Sequence, residues 1–467
     1  MSSTPGSLDA MQDITRLNTR TVRILGQNPS AFTLNGTNTY LITPPSYWNL
    51  DERQSLLPAI LVDTGDARDD YAPILECVLR GHLHVSEDER PVSLAITDIV
   101  LTHWHHDHVG GVPYVLRMLQ KLRREVPHLP VPRVHKMPEP KTDPSLFERV
   151  QSVSDDAYAH APGATGLARL MWPLRDQDQI QVRDPDNAHL TSTLRVLYTP
   201  GHAADHVMLL LEEDHILLTA DNVLGKGSTV FEDLVLYMYS LQRGLSLLQT
   251  CKSTPLGVSG TPTTGMAGEN VLFPGHGPVI PKGKETLRRY MRHRIEREEQ
   301  ILALFMCHPS DKQSIMQATA YPQEYLEKTR GRVRPGQHLW TLRLFVHTLY
   351  EDYSLTAYPA VARGLLLHLQ KLATPSSDYV KPPFPPSAAS DVYKRQPPPS
   401  PRIRPWYSAY EYPRISIQAY AIIQTSHATK KNGASYWMYR GSSSPLCSTT
   451  PNLSNQRRRT GLLHGIT

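Results

Sequence analysis

The chain has 467 residues, of which 40% are hydrophobic and 20% charged, with 27 Gly and 40 Pro. This allows two to four domains at about 100–200 residues each and excludes a collagen-like or wholly disordered chain. The formal charge of +5 is unevenly spread: from Pro397 to Thr467 nine Lys/Arg face only Glu411, so the tail carries +8 and residues 1–396 carry −3. The bulk positive charge therefore gives no support to a nucleic-acid-binding body.

Residues 1–20 read as an N-terminal extension. Thr21–Leu25 and Thr39–Thr43 have the content of strands. Ala59–Asp63 is a continuous apolar run that stops at Asp63-Thr64-Gly65. Asp98–Thr102 repeats that design and leads into a histidine-rich loop. Such runs belong to strands buried on both faces. Gly110–Val126 has apolar residues at 112, 115, 116, 119 and 122, the spacing of one helix face. Leu194–Thr199, His206–Leu211 and His215–Ala220 are three further strands. Residues 21–283 thus read as an α/β domain whose sheet is covered by helices on both faces.

From Lys284 to Pro309 the pattern is one long helix. Leu287, Tyr290, Met291, Ile295, Leu302 and Phe305 form its apolar stripe, and Arg292/Glu296 and Arg294/Glu298 are i,i+4 pairs. Helices near Trp340–Leu349 and Ala360–Leu372 complete a helical accessory unit over 284–372. Residues 373–467 read as a Pro-rich linker followed by a basic, disordered tail. Within it, Ser390–Gln396 (SDVYKRQ) resembles a fragment seen at the ends of translated assemblies. With the jump in charge and the loss of periodicity, residues from about 390 onward read as a translated artefact or read-through. Relative to a compact domain, 44–58 and 250–270 read as insertions, and 137–190 is long.

Cys77, Cys251, Cys307 and Cys447 include no CxxC pair, which excludes a disulfide scaffold and leaves a cysteine zinc site without support. No run of about 18 apolar residues occurs, so no membrane-spanning helix is expected. The first 20 residues lack the apolar core of a secretory signal. The expected address is cytoplasmic; a mitochondrial one is weakened by Asp9 and Asp13 but stays open.

The chemistry concentrates in HWHHDH, which holds His103, His105, His106, Asp107 and His108 between a strand and a helix. In an extended loop residues i and i+2 point the same way, so His103 and His105 can converge on one cation. Asp107 and His108, just beyond, can turn to a second. Imidazole with carboxylate is a borderline ligand set suited to zinc, and also to iron or manganese. Three more segments add one candidate each: His202 in Thr199-Pro200-Gly201-His202, Asp221 at the end of Leu218-Thr219-Ala220-Asp221, and His276 in Phe273-Pro274-Gly275-His276-Gly277-Pro278. Metal ligands must be held at about 2.0–2.2 Å, and strand ends flanked by Gly and Pro fix the backbone that does so.

These four motifs, in this order, resemble the metallo-β-lactamase superfamily over roughly residues 20–280. Arg23–Pro29, Gly36–Tyr40 and THWHHDHVGG are similar to its lactamase-like protein 2 branch. That branch includes endoribonucleases of animal mitochondria and fungal thioesterases that release polyketides from an acyl carrier protein. The resemblance implies a four-layer αβ/βα sandwich with a small helical, winged-helix-like C-terminal domain. It implies two divalent ions, zinc by preference: His103, His105 and His202 on the first, Asp107, His108 and His276 on the second, with Asp221 bridging. Asp63 matches the supporting carboxylate behind the ligands. The implied reaction is hydrolysis by a metal-bridging hydroxide, with Asp107 as catalytic proton carrier.

Other polar residues read differently. His106 faces outward or lines the pocket and is not a ligand. Asn38 reads as a turn residue that could also bond substrate. Asp205 and His206 read as structural. Arg457–Arg459 only weakly suggest RNA or nuclear import. The expected function is a thioesterase acting on an acyl-thioester or acyl-carrier-protein substrate in secondary metabolism. The alternative is an endoribonuclease on single-stranded RNA, with helix 282–297 as its basic rim. A vacant metal-binding scaffold is remoter, because the ligand set is complete. A di-iron redox role is remoter still, because such relatives usually carry an acid where this chain has His105.

Overall fold

A computed structural model describes residues 10–46, 56–84, 91–139, 145–146, 148–150, 171–251, 270–306, 342–350 and 358–373. Among them, twelve strands form two sheets. The first sheet comprises β1 (Ile14–Arg16), β2 (Thr21–Leu25), β3 (Asn38–Ile42), β4 (Leu57–Val62), β5 (Leu94–Leu101), β6 (Arg133–Lys136) and β7 (Met171–Pro173), in that spatial order. It is antiparallel from β1 to β4 and parallel from β4 to β7. The second comprises β8 (Gln179–Arg183), β9 (Thr191–Tyr198), β10 (Val207–Leu211), β11 (Ile216–Ala220) and β12 (Leu272–Pro274), ordered β12-β11-β10-β9-β8. Only its β11–β12 pair is parallel.

Three apolar clusters define four layers. The face of the first sheet that carries Val22, Ile24, Leu61 and Ile99 packs on α1 (Tyr71–Leu79) and α3 (Val112–Glu125). Between the sheets, Ile42, Ile60, Val62 and Val100 meet Val196, Leu209, Leu218 and Phe273. The outer face of the second sheet packs on α4 (Leu234–Thr250) and the first half of α5 (Gly283–Met306), through Met208, Leu217, Leu241, Leu287 and Tyr290. This is the αβ/βα sandwich expected from the sequence. The buried strands read as unbroken apolar runs because both of their faces are covered: every residue of β2, β3, β10 and β11 is buried.

The second half of α5 belongs to another cluster. Ile301 and Leu304 pack with Phe345 and Val346 of α6 (Leu342–Leu349) and Leu365 and Leu369 of α7 (Tyr358–Ala373). One helix therefore serves both the sandwich and the C-terminal helices. The segment 307–341, where a wing would fall, lies outside the described residues, as do residues 374–467 and most of the expected insertions.

The C-terminal ends of β4, β5, β9, β11 and β12 share one edge of the sandwich. Two backbone bonds join the sheets there, Val207 N–H to Thr102 O at 2.9 Å and Asn38 N–H to Gly275 O at 2.7 Å. Leu209→Ala, deep between the sheets, should cost about 2–5 kcal/mol in urea unfolding. Phe32→Ala, at a position 77% exposed, should leave the midpoint unchanged.

Candidate metal centre

Each candidate ligand sits just past a strand end. His103 follows β5, and α2 (His106–Val109) starts three residues later, carrying Asp107 and His108. His202 follows β9 on a turn, Asp221 follows β11, and His276 follows β12. Two of these exits need unusual backbone. A register shift between Leu218 and Ala220, with Ala220 at φ 43°, turns Asp221 inward. Gly201 has φ 131°, and a Cβ there would lie 2.2 Å from the Tyr237 nitrogen, so only glycine makes the His202 turn.

The side chains converge in two groups that share Asp221: His103, His105, His202 and Asp221, and Asp107, His108, Asp221 and His276. In each group the ligand atoms lie within 4.8 Å of one another. His105 Nδ1 is 3.0 Å from His103 Nε2 and 2.9 Å from His202 Nε2. His108 Nε2 is 3.3 Å from Asp221 Oδ1, and His276 Nε2 is 3.2 Å from Asp107 Oδ2 and 3.3 Å from Asp221 Oδ2. The same Asp221 Oδ2 is 3.7 Å from His202 Nε2, so one carboxylate faces both groups.

Behind the ligands lies a set of supports. Asp63, itself at φ 59°, accepts the Thr102 N–H at 2.8 Å and the Thr102 hydroxyl at 2.9 Å. Its Oδ2 is also 2.8 Å from His108 Nδ1. Because the Thr102 hydroxyl donates to Asp63, it accepts from His103 Nδ1–H at 3.0 Å. His202 Nδ1–H donates to Val230 O at 2.7 Å, and His276 Nδ1–H points to Gly36 O at 3.4 Å. In all four histidines Nδ1 makes the outward hydrogen bond and Nε2 faces inward.

Electrostatics divides the two groups. Burial, helped by neighbouring imidazoles, holds His103 well below its ordinary range and His105 at about 3. Burial also lowers His202. His108 and His276 go the other way. Burial opposes their charge, but Asp221 and Asp107 outweigh it, raising His108 well above the ordinary value and His276 to about 9. Against the cost of burial, the facing histidines lower Asp107 to about 2 and hold Asp221 well below the usual carboxylate range. Carboxylates kept ionised in a closed site favour positive charge facing them, here that of His108 and His276.

The donor set of histidine nitrogens and carboxylate oxygens fits divalent metal. His108 Nε2 and Asp221 Oδ1 are buried 3.3 Å apart without a well-aligned hydrogen bond, a geometry that a cation held by both would satisfy. Gly275 keeps the space: a Cβ there would lie 2.3 Å from Asp221 Oδ1.

Other sequence expectations fare differently. His106 is half exposed and its Nδ1 meets Asp66 at 2.6 Å, outside both groups. Asn38 is neither a turn residue nor open to substrate. It is the first residue of β3, fully buried, and its amide donates to Pro274 O and Gly277 O at 2.8 Å, which fixes the His276 turn. Asp205 pairs with buried Lys136 at 2.6 Å, and His206 Nε2 accepts the Asp221 N–H at 3.2 Å. Thr102, Thr229, Val230 and Gly36 were not singled out from the sequence; two of them act through carbonyls, which leave no side-chain signal.

A profile of the metallo-beta-lactamase superfamily matches residues 58–262. A beta-lactamase-like protein 2 homolog of Caenorhabditis elegans is 33% identical over 304 residues, 65% of this chain and 76% of that protein. An atrochrysone carboxyl ACP thioesterase of Cryptosporiopsis sp. is 27% identical over 63% of this chain and 66% of its own. A thioesterase of Emericella nidulans is 31% identical over 62% of this chain and 59% of its own.

A divalent cation held by His276 would displace a proton, because Asp221 and Asp107 raise that ring to about 9. Calorimetry in buffers of different ionisation enthalpy should therefore show proton release at pH 7 and an affinity that rises from pH 6 to 9. Binding without proton release would contradict this electrostatic reading. Gly275→Ala should abolish tight binding of the second equivalent of zinc, read in the same titration.

Proposed function

The chain belongs to the metallo-beta-lactamase superfamily of hydrolases, and we propose that it hydrolyses an acyl thioester of the kind carried on an acyl carrier protein in secondary metabolism. The observation that carries the reading is the shared Asp221, set between a three-histidine group and an Asp/His group. We assign His103, His105, His202 and Asp221 to one divalent ion and Asp107, His108, His276 and Asp221 to the other, with zinc as the preferred metal. Such a pair supplies Lewis acidity and an acidified water near neutral pH. Support for the thioester comes from relatives named as thioesterases.

The residues divide the remaining work. His103, His108 and His276 are closed off, whereas the Asp107 side chain is 27% exposed, open to a reacting molecule. Asp107 accepts a proton from the attacking water and passes one to the departing sulfur. The new C–O bond replaces the C–S bond, and water supplies both the oxygen and the thiol proton. No covalent protein nucleophile is required: the sequence has no GxSxG motif. The described cysteines, Cys77 and Cys251, lie on α1 and at the end of α4. Asp63 remains the support of His108 rather than a reacting group.

We place the catalytic domain at 21–283 and the helical, winged-helix-like accessory unit at 284–372, with α5 as the element they share. The test is the zinc-loaded full chain against a panel of acyl thioesters and a labelled single-stranded RNA. Thioester cleavage should appear and fall about 10²–10⁴-fold in Asp107→Asn. RNA cleavage lost in Asp107→Ala, without thioester cleavage, would replace this reading with an endoribonuclease. Inertness toward both would leave a metal-binding scaffold.

A further inference from the structure

Helix α5 does more than cover the second sheet. Its Tyr290 hydroxyl lies 3.2 Å from both Leu224 N and Leu224 O, and donates to Gly227 O at 3.0 Å. One turn further on, Arg294 is buried, and its Nη2 donates to Ser228 Oγ at 2.6 Å and to Thr229 O at 3.2 Å. The guanidinium stacks over Phe231, 4.9 Å from the ring centroid, and lies 5.8 Å from that of Tyr237. Those two rings stack on each other at 5.1 Å. The segment from Leu224 to Phe231 is thus held by two side chains of one helix.

That segment is also what orients His202. Val230 O takes the His202 Nδ1 proton, and Thr229 Oγ1 lies 3.2 Å from the same nitrogen while donating to Val230 O at 3.0 Å. Just beyond, the N–H groups of Glu232 and Asp233 both donate to Gly201 O, at 2.7 and 3.0 Å. The turn bearing His202 therefore rests on residues 229–233, and residues 228 and 229 rest on Arg294. His103, in the same group, has separate support from Thr102 and Asp63.

We infer that Arg294 is a positioning residue for His202, through which the C-terminal helical unit sets the affinity of the three-histidine metal group. Its Nη2 reaches both acceptors while the flat guanidinium lies against two aromatic rings, a stacking that the tetrahedral ammonium of lysine cannot reproduce. In the second group, built on Asp107, His108, His276 and the shared Asp221, His276 O accepts the Gly225 N–H at 2.9 Å, in the part of the segment that Tyr290 holds. The two residues bonded to Arg294, Ser228 and Thr229, lie on the His202 side, so this group should keep its affinity without Arg294. This rests on the two-ion reading of the site.

The test titrates zinc into the full chain in two backgrounds, against a chromophoric chelator. His276→Ala should leave the first group's zinc alone, and His105→Ala the second group's alone. If either background fails to bind one equivalent, the two-ion reading falls, and this inference with it. Given one equivalent in each, Arg294→Gln should weaken zinc binding about 10–100-fold in the His276→Ala background, as supporting residues of metal ligands do, and leave the His105→Ala background unchanged. Arg294→Lys should not restore it. Equal weakening in both backgrounds, no weakening, or rescue by lysine overturns the inference. If Arg294→Gln does not fold, Ser228→Ala decides. It sits on an exposed residue and removes only the 2.6 Å bond. A smaller loss confined to the His276→Ala background upholds the coupling, and its absence overturns it.

Discussion

Asp221 sets the terms for the whole structure. Its carboxylate is nearly enclosed, its Oδ1 has no hydrogen-bond partner, and its Oδ2 faces His202 on one side and His276 on the other. An ionised carboxylate in such a place is expensive unless positive charge faces it. His108 and His276 meet that cost as raised-pKa imidazoles, and a pair of cations would meet it better. The three first-group nitrogens at about 3 Å spacing make the same demand from the other side, because burial keeps their rings neutral.

The sandwich supplies what this carboxylate needs. Candidate ligands arrive from both sheets, and their shared edge lets strand ends from each meet. The parallel run β4–β5 delivers Asp63 and His103 side by side. β9, β11 and β12 deliver His202, Asp221 and His276 from the opposite sheet. Bonds such as Asn38 N–H to Gly275 O stop the sheets from sliding, so the separation of the two groups is a property of the core packing. Two of the non-glycine residues at positive φ, Asp63 and Ala220, stand at this edge, where packing on both sides holds them.

Much of this was legible in the sequence, for physical reasons. Strands covered on both faces must be apolar throughout, so AILVD and DIVLT announced themselves. Ligands gathered in HWHHDH, or isolated between Gly and Pro, stand out because catalysis needs those side chains on rigid turns. What stayed hidden had no such signature. β1, β7 and β12 are three residues long and take their shape from neighbours. Helix α4 is apolar on much of its surface because it is wedged between the sheet and other helices, so its period is faint, although its Asp233 N-cap was there to be read. The carbonyls of Val230 and Gly36 leave no trace in side-chain identity. Asn38, in a Gly-Thr-Asn-Thr run, looks like a turn until β3 buries it.

The double role of α5 was also invisible, since an apolar stripe does not say how many partners it meets. Its first half closes the sandwich and its second half founds the C-terminal cluster. The central claim is that Asp221 joins two cation sites in one centre. Elemental analysis of the purified full chain after zinc loading and desalting tests it most directly. The account predicts two zinc ions per chain, falling to one or none in Asp221→Ala. A wild-type chain that retains one ion or none, or an Asp221→Ala chain that keeps both, would contradict it.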